Sequence, residues 1–379
     1  MKLLRIALPL ALAVVGATSA SASASRPSGV VGHVYVNDNT AGVNTISAFD
    51  RHTDGSLSPI PGSPFTTDGA GTGTGIGSQG ALQESSDGRY LLAVDAGSNQ
   101  ISALRILPHG ELGHVGGGAV SSGGNEPVSI AVSGRRVYVA NAGDGASNYT
   151  GFTLNPGGHL RPIPSSTVAL PDGSAPGDVL FNGNGTSLVG VRVNTSLIDS
   201  FAVSADGHLT AAPNSPIPAQ GPGPFGSEFR PTNSSQLFVS NAHGGPEAAT
   251  VSAFSVAGDG TLTSIGASPF PDDQTAACWV EISHDGRFLF TVNTASNTVS
   301  RYSIEEGGSL ELLGSTALEQ AKAGAEDARL TPDGRTLWIV ETGAKSLAAL
   351  AVEGGKLTAI PGSATGLGVD TAPFGIVVT

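Results

Sequence analysis

The chain has 379 residues, a formal net charge of −13 and one cysteine, Cys278. An acidic surface repels phosphate groups, so the charge argues against nucleic acids and anionic membranes as partners. A single cysteine excludes an intramolecular disulfide, and stability must therefore come from packing. The 54 glycines and 24 prolines, with only 5% aromatic residues, are typical of many short strands joined by tight turns.

Residues 1–24 are predicted to be a secretory signal peptide. Lys2 and Arg5 precede an apolar run over 6–15, and small residues follow, with cleavage after Ala22 or Ala24. The apolar run is shorter than the roughly 20 residues that a membrane-spanning helix needs. We therefore expect an exported protein that leaves the membrane after cleavage and has one folded domain over 30–379.

A strand–turn–strand–loop–strand pattern recurs about every fifty residues along the rest of the chain. In its clearest copy, 278–302, the turn Asp285-Gly286 joins two apolar strands and Asn293 ends the second. Self-similarity at this period indicates repeated supersecondary units that stack to share a core. The polar residues predicted to close the second strand of each copy are Asn37, Asp95, Asn141, Asn194, Asn241, Asn293 and Glu341.

The first strands of the repeat predict how the fold closes. Six are internal and a seventh, over 374–379, ends the chain, whereas the N-terminal copy lacks a first strand. Pairing the two ends yields an all-β, seven-bladed β-propeller of four-stranded antiparallel blades without open edges. The Asp-Gly turns then lie on one face, here called the bottom. The loops after the second strands lie on the opposite face, the top, where the innermost strands begin.

Three stretches resemble the blade signature of the seven-bladed propeller lactonase family, whose members include phosphogluconolactonase and carboxymuconate cyclase types. They are Ser-His-Asp-Gly-Arg-Phe-Leu-Phe at 283–290, Thr-Pro-Asp-Gly-Arg-Thr-Leu-Trp at 331–338 and Val-Tyr-Val-Ala-Asn at 137–141. The same stretches are similar to the Tyr-Val-Thr-Asn repeats of exported surface proteins. The resemblance implies the propeller fold and the opening of a lactone. Family members that open lactones tend to place His or Arg after the prolines that begin innermost strands, where this chain has Val128, Gly177, Phe225 and Phe374.

Four polar residues occupy one equivalent position on the innermost strands: Gln83, Glu228, Glu281 and Arg329. Charged side chains are almost never fully buried unless paired, so these are predicted to line the central channel. Glu281 or Glu228 could act as a general base on water, with Arg329 holding a developing oxyanion. A structural Glu–Arg network that ties blades together is the alternative interpretation.

Further candidates lie near the top face. His243 is the one histidine placed on a top loop and is a candidate proton carrier, with a solvated loop histidine as the alternative. Trp279 is predicted to offer an apolar platform and Asp327 a carboxylate near the channel mouth. Arg192 needs a carboxylate partner, Asp178 or Asp199, for structural pairing or ligand binding. The predicted substrate-binding residues are Gln83, Trp279, Asp327, Arg192 and Asp178.

Charge placement leads to the predicted substrate. Acidic residues crowd the segments assigned to the top face and basic ones the bottom turns, whereas a phosphorylated ligand needs Arg and Lys. We therefore predict an exported, monomeric lactonase-like hydrolase that opens a non-phosphorylated cyclic ester of a sugar or small organic acid. The alternative is a non-catalytic propeller that binds a glycan or protein through its top loops.

No cofactor or metal site is predicted, although top-face carboxylates could bind Ca²⁺ weakly. The stretch Gly-Ile-Gly-Ser-Gln-Gly at 75–80 matches G-x-G-x-x-G, but it precedes a strand instead of a helix. No helix N-terminus is then available to bind a pyrophosphate, so the stretch is interpreted as a flexible entry loop.

Overall fold

The predicted seven-bladed propeller is confirmed. The computed structural model describes residues 29–320 and 323–379, which form seven antiparallel sheets arranged as blades. The predicted signal peptide lies outside the described residues. The described part of the chain contains no α-helix and one short 3₁₀ turn, Ala96–Ser98. Nothing helical in it is long and apolar enough to cross a membrane.

We number the blades 1 to 7 in the chain order of their second strands. The innermost strands of blades 1 to 7 are Ile376–Val378, Leu82–Glu84, Pro127–Ser133, Pro176–Phe181, Pro224–Arg230, Ala277–Ile282 and Ala325–Leu330. The second strands are Val30–Asn37, Tyr90–Asp95, Arg136–Asn141, Ser187–Arg192, Asn233–Asn241, Phe288–Asn293 and Thr336–Glu341.

The outer half of each blade consists of a long third strand and shorter strands at the rim. The third strands are Thr45–His52, Gln100–Ile106, Asn148–Leu154, Leu197–Val203, Thr250–Val256, Thr298–Ile304 and Ser346–Glu353. The fourth strands are Leu57–Pro59, Leu112–His114, Leu160–Pro162, Leu209–Ala211, Leu262–Ser264, Leu310–Ala317 and Lys356–Ala359. In every blade except blade 6, a two-residue strand also pairs with the third: Phe65–Thr66, Val120–Ser121, Val168–Ala169, Ile217–Pro218, Phe270–Pro271 and Thr365–Gly366.

The two ends of the chain close the ring in blade 1, as predicted. Val34 pairs with Val378 and Val36 with Ile376 in an antiparallel ladder. The amide of Phe374 also donates to the carbonyl of Asn37 at 2.9 Å. Ile376 is fully buried in this ladder. The closure covers strand edges that would otherwise recruit other chains.

The core lies between neighbouring blades, because both faces of each sheet are covered. Second strands are therefore apolar on both faces, as in Leu91-Leu92-Ala93-Val94, where every side chain is buried. Buried tyrosine hydroxyls cross the interfaces: Tyr35 donates to the Gly110 carbonyl at 3.0 Å and Tyr138 to the Gly207 carbonyl at 2.7 Å. These bonds satisfy the one polar atom that each large side chain brings into the core.

In blade 4 the residue that closes the second strand is Arg192, and the prediction of Asn194 was wrong. Arg192 lies opposite Pro176, as Asn141 lies opposite Pro127 in blade 3. Its guanidinium grips Asp199 through two bonds, Nε to Oδ2 at 2.7 Å and Nη2 to Oδ1 at 2.5 Å. Asp199 is thus its partner, and Asp178 is not. The structure gives Arg192 a pairing role within blade 4, and substrate binding by it stays a prediction.

Candidate functional site

The innermost strands have one unpaired edge, which faces the central channel. Side chains from other parts of the ring accept hydrogen bonds from the amides on this edge. We call these acceptors the belt: Ser129 Oγ to Val179 N (3.2 Å), Asp178 Oδ2 to Ser227 N (2.9 Å), Gln79 Oε1 to Val280 N (3.0 Å), Glu281 Oε1 to Leu330 N (2.9 Å) and Asp327 Oδ2 to Gly80 N (3.4 Å). A buried amide without a partner is costly, so the belt stabilises the ring from within.

Two predicted substrate-binding residues belong to the belt. Asp178 is buried and accepts from the hydroxyls of Ser129 at 3.2 Å and Ser227 at 2.6 Å, which ties blades 3, 4 and 5 together. Burial raises the pKa of Asp178 to about 7, although the bonds from Ser227 oppose the shift. Asp327 is also buried, and burial raises its pKa to about 6. These contacts support a structural role for both, and their part in substrate binding stays a prediction.

The four residues predicted at one equivalent position do line the channel, and we call Gln83, Glu228, Glu281 and Arg329 the polar cluster. The Arg329 Nη1 donates to Glu281 Oε2 at 3.2 Å, and the other Glu281 oxygen accepts from the amide of Leu330. The side chain of Glu281 is 7% exposed and that of Arg329 is 26% exposed. Glu281 is thus a buried anchor, and the rest of the guanidinium faces the channel.

Glu228 lies in the same cluster with its carboxyl group uncommitted. It is partly exposed, and the structure gives it no hydrogen bond within 29–320 and 323–379. Burial raises its pKa to about 8, the Glu281 carboxylate adds to the rise, and Arg329 opposes it. A carboxyl group that titrates near neutral pH can both accept and donate a proton, which is typical of functional sites.

The top end of the channel is closed by residues 76–79, which we call the plug. Ile76, Ser78 and Gln79 are buried. The Gln79 amide donates to the Gly177 carbonyl at 3.0 Å, and its side-chain nitrogen donates to the Ser227 carbonyl at 2.8 Å. The interpretation of 75–80 as a flexible entry loop was wrong, because its polar groups bond to the strands that surround the channel.

Trp279 lies beneath the plug. Its Nε1 donates to the Ser78 carbonyl at 2.8 Å, its ring meets Phe225 edge-on with centroids 5.2 Å apart, and it is 2% exposed. The residues around it at the top of the channel are buried, whereas Gln83, Glu228 and Arg329, nearer the bottom, are partly exposed. Solvent therefore reaches the polar cluster from the bottom end.

His243 lies on a top loop, as predicted, but apart from the cluster. It is exposed, its amide donates to the Pro222 carbonyl at 3.0 Å, and its ring lies against Gly223. No contact among the described residues joins it to Glu281 or Arg329. Its catalytic role stays a prediction that the arrangement of the channel does not support.

The sequence interpretation missed three residues that shape the channel: Gln79, Ser129 and Ser227. Ser129 and Ser227 interrupt apolar innermost strands just before the positions of Leu180 and Glu228, and this irregularity could have identified them. Gln79 lies in a glycine-rich segment with no periodicity to indicate that it is buried.

Weak Ca²⁺ binding by top-face carboxylates also stays untested. Among the described residues, no group of three or more His, Cys, Asp or Glu side chains is placed to hold a metal ion. The channel carboxylates Asp178, Glu281 and Asp327 instead accept hydrogen bonds from backbone amides.

Residues 198–368 match the family model described as "Lactonase, 7-bladed beta-propeller". The resemblance to the propeller lactonases is confirmed. The matched segment contains Glu228, Glu281 and Arg329, so most of the polar cluster falls within it. No curated protein matches the sequence.

Solved structures share the propeller lactonase fold over almost their whole length. A protein from Bacteroides uniformis assigned as a 6-phosphogluconolactonase is 19% identical, with a TM-score of 0.73 over 92% of this chain and 99% of that one. The periplasmic gluconolactonase of Pseudomonas aeruginosa is 18% identical, with a TM-score of 0.73 over 92% of this chain and 98% of that one. At these identities the likeness shows the shared fold alone.

The buried carboxyl groups of this propeller predict how its stability depends on pH. Asp178, Glu228 and Asp327 have pKa values raised to about 7, 8 and 6. The folded state therefore binds protons more tightly than the unfolded state, whose carboxyl groups titrate near about 4. The free energy of unfolding should fall as pH rises from about 5 to 8, by on the order of a few kcal/mol.

Urea unfolding at pH 5, 6, 7 and 8 measures this slope. Asp178→Asn keeps an acceptor for the Ser227 amide but does not titrate, so it should flatten the curve. Stability that is constant or rises over this range would contradict the assignment of raised pKa values.

Proposed function

We propose that the protein is a lactonase-like hydrolase whose reacting groups are Glu228 and Arg329. One observation carries the proposal: a partly exposed carboxyl group with a pKa near 8 shares the channel with a guanidinium held by Glu281. Opening a cyclic ester requires a group that moves a proton and a cation that stabilises the oxyanion. The match of residues 198–368 to the lactonase family supports this reaction class.

Each residue has a defined part in the proposed reaction. The Glu228 carboxylate accepts a proton from water as the water oxygen bonds to the ester carbonyl carbon. Arg329 donates N–H groups to the oxyanion that forms. The bond from that carbon to the ring oxygen then breaks, and Glu228 returns the proton to the ring oxygen, which leaves a hydroxy acid. Glu281 is a positioning residue that holds Arg329.

The charge of the channel favours a non-phosphorylated ester. Asp178, Glu228, Glu281 and Asp327 surround the single guanidinium of Arg329, and each influences its pKa. A phosphate would meet these carboxyl groups in a site of low dielectric, where like charges repel strongly. Bottom-face arginines offer little compensation because they are paired: Arg89 with Asp87 and Arg287 with Asp285, each at 2.7 Å.

Export of this hydrolase is part of the proposal. The basic and apolar pattern over residues 1–24 supports it. One of the structures that share the fold is a periplasmic protein, the gluconolactonase of Pseudomonas aeruginosa.

A non-catalytic binding propeller is the second candidate. It is favoured by the plug and by the residues after the entry prolines, since Val128, Gly177, Phe225 and Phe374 supply neither a base nor a cation at the top. In that case the belt and the polar cluster would serve only to hold the ring together.

Assays with glucono-δ-lactone and its 6-phosphate separate the two candidates. We expect turnover of the neutral lactone, with kcat/KM rising with pH through about 8. Glu228→Gln should lower it by about 10²-fold or more, because general acid–base groups typically contribute that much. Glu353→Gln, on the exposed rim, is the matched control and should leave it unchanged.

The other outcomes are equally informative. Turnover no faster than spontaneous hydrolysis would overturn the enzyme proposal and favour a binding propeller. Full activity of Glu228→Gln with loss of activity in His243→Ala would move the site to the top loop. A preference for the phosphorylated lactone would overturn the argument from channel charge.

A further inference from the structure

The plug makes hydrogen bonds that a bound molecule could also make. The carboxamide of Gln79 accepts from the amide of Val280 at 3.0 Å and donates to the carbonyl of Ser227 at 2.8 Å. Both backbone groups are buried, so each would lack a partner if the carboxamide left and nothing replaced it. The end of the channel thus presents one fixed donor and one fixed acceptor, and the chain's own side chain occupies both.

The surroundings of Gln79 form a pocket shaped for a small planar group. Blade 5 has Gly226 at the point of closest approach, where a Cβ atom would lie 2.2 Å from the Gln79 Oε1. Phe225 and Trp279 provide apolar walls beside it, and both are buried. Asp178 and Asp327 lie below, where they would repel an anion.

The plug is weakly anchored by apolar packing. Ile76 is its single buried apolar side chain, whereas Thr74, Gly75 and Gly77 before and within it are exposed on the top face. Segments with few buried apolar contacts open at the lowest free-energy cost. A ligand that replaces the bonds of Gln79 therefore has little else to overcome.

We propose that this end of the channel is a ligand site closed by the plug. Its ligand is a neutral small molecule that presents a carbonyl acceptor and an adjacent N–H or O–H donor, as Gln79 does. Binding displaces residues 76–79 and opens the channel from the top. The site does not depend on the proposed hydrolase activity, since it is defined by backbone groups and Gln79.

Trp279 is a built-in reporter of the plug. The chain has two tryptophans, and Trp338→Phe leaves Trp279 as the sole emitter. In that background Gln79→Ala should shift the emission to the red and raise the acrylamide quenching constant about twofold or more, because the plug that covers the ring loosens. Gln274→Ala, a top-face glutamine outside the channel, is the matched control and should change neither quantity.

Gluconamide and gluconate test the ligand class, because they differ in whether the terminal group is a neutral carboxamide or a carboxylate. Gluconamide should raise the quenching of Trp279 in a saturable manner, and gluconate should not. Hydrogen–deuterium exchange on the wild-type chain is an independent measurement: with gluconamide, exchange should increase over 76–79 while the Val280 amide stays protected.

Unchanged quenching in a folded Gln79→Ala protein would overturn the proposed anchor. If that variant fails to fold, the exchange measurement on the wild type decides. No response to gluconamide in either measurement would overturn the site, and an equal response to gluconate would overturn the neutral class. Glu228→Gln should respond like the wild type, so failure of the hydrolase proposal and failure of this one are distinguishable.

Discussion

Replacing Arg329 with methionine should destabilise the protein by about 3 kcal/mol, because removing one partner of a buried ion pair leaves uncompensated charge. Arg329 donates to Glu281 and faces the carboxyl groups of Asp178, Glu228 and Asp327. Without the guanidinium these acids repel one another, and their pKa values rise further. The deficit should therefore be largest near pH 8 and shrink toward pH 5, where the acids are protonated in the folded protein.

Urea unfolding of a double-mutant cycle measures this effect. Glu281→Gln keeps an acceptor for the Leu330 amide while it removes a charge. Combined with Arg329→Met, it should be less destabilising than the sum of the two single variants, because each removes the charge that the other strands. Arg161→Met, on an exposed rim strand, is the matched control and should change stability by less than about 0.5 kcal/mol. Additive single variants would show that Arg329 contributes nothing to holding the channel together.

Deleting residues 374–379 should abolish folding into a stable monomer. The deletion removes the innermost strand of blade 1, with the buried side chains of Phe374, Ile376 and Val378. It also exposes the inner edge of the second strand, Val30–Asn37, and an exposed strand edge recruits other chains. Size-exclusion chromatography and a thermal melt followed by circular dichroism should show aggregation or loss of the cooperative transition.

A graded variant separates loss of closure from loss of core packing. Ile376→Ala keeps the strand and its ladder, and should fold with a cost of about 2–5 kcal/mol, because it leaves a cavity at a fully buried site. If the truncated chain remains monomeric with an unchanged melting temperature, closure by residues 374–379 is not what stabilises the ring.

The blades could be predicted because their determinants are local. A strand with both faces covered needs an apolar run, and the turn to the next strand needs Asp-Gly, as at Asp285-Gly286. The closure followed from counting, since the chain has a spare first strand at 374–379 and lacks one before Val30. Register was harder, and the pairing of Pro176 with Arg192 shows that the strand of blade 4 ends two residues before Asn194.

The site was only partly predictable. Equivalence within the repeat correctly placed Gln83, Glu228, Glu281 and Arg329 on the channel, because repeated units place equivalent residues at equal distances from the axis. It could not show that Glu281 anchors Arg329 while Glu228 stays uncommitted, since this depends on where each side chain meets the next blade. Nor could it place His243, because the path of a loop is set by its neighbours and not by the strand period.

The amino-acid sequence alone therefore determined the number of blades, their strand order and the four polar positions on the channel, since hydrophobic period, turn chemistry and repeat spacing act over short stretches of chain. The three-dimensional packing determined which end of that channel is open. Gln79 reaches Gly177, Ser227 and Val280, residues 98 to 201 positions away, only after the ring has brought their blades around one axis. No local pattern encodes such an approach, because it depends on the backbone groups that the innermost strands leave without partners.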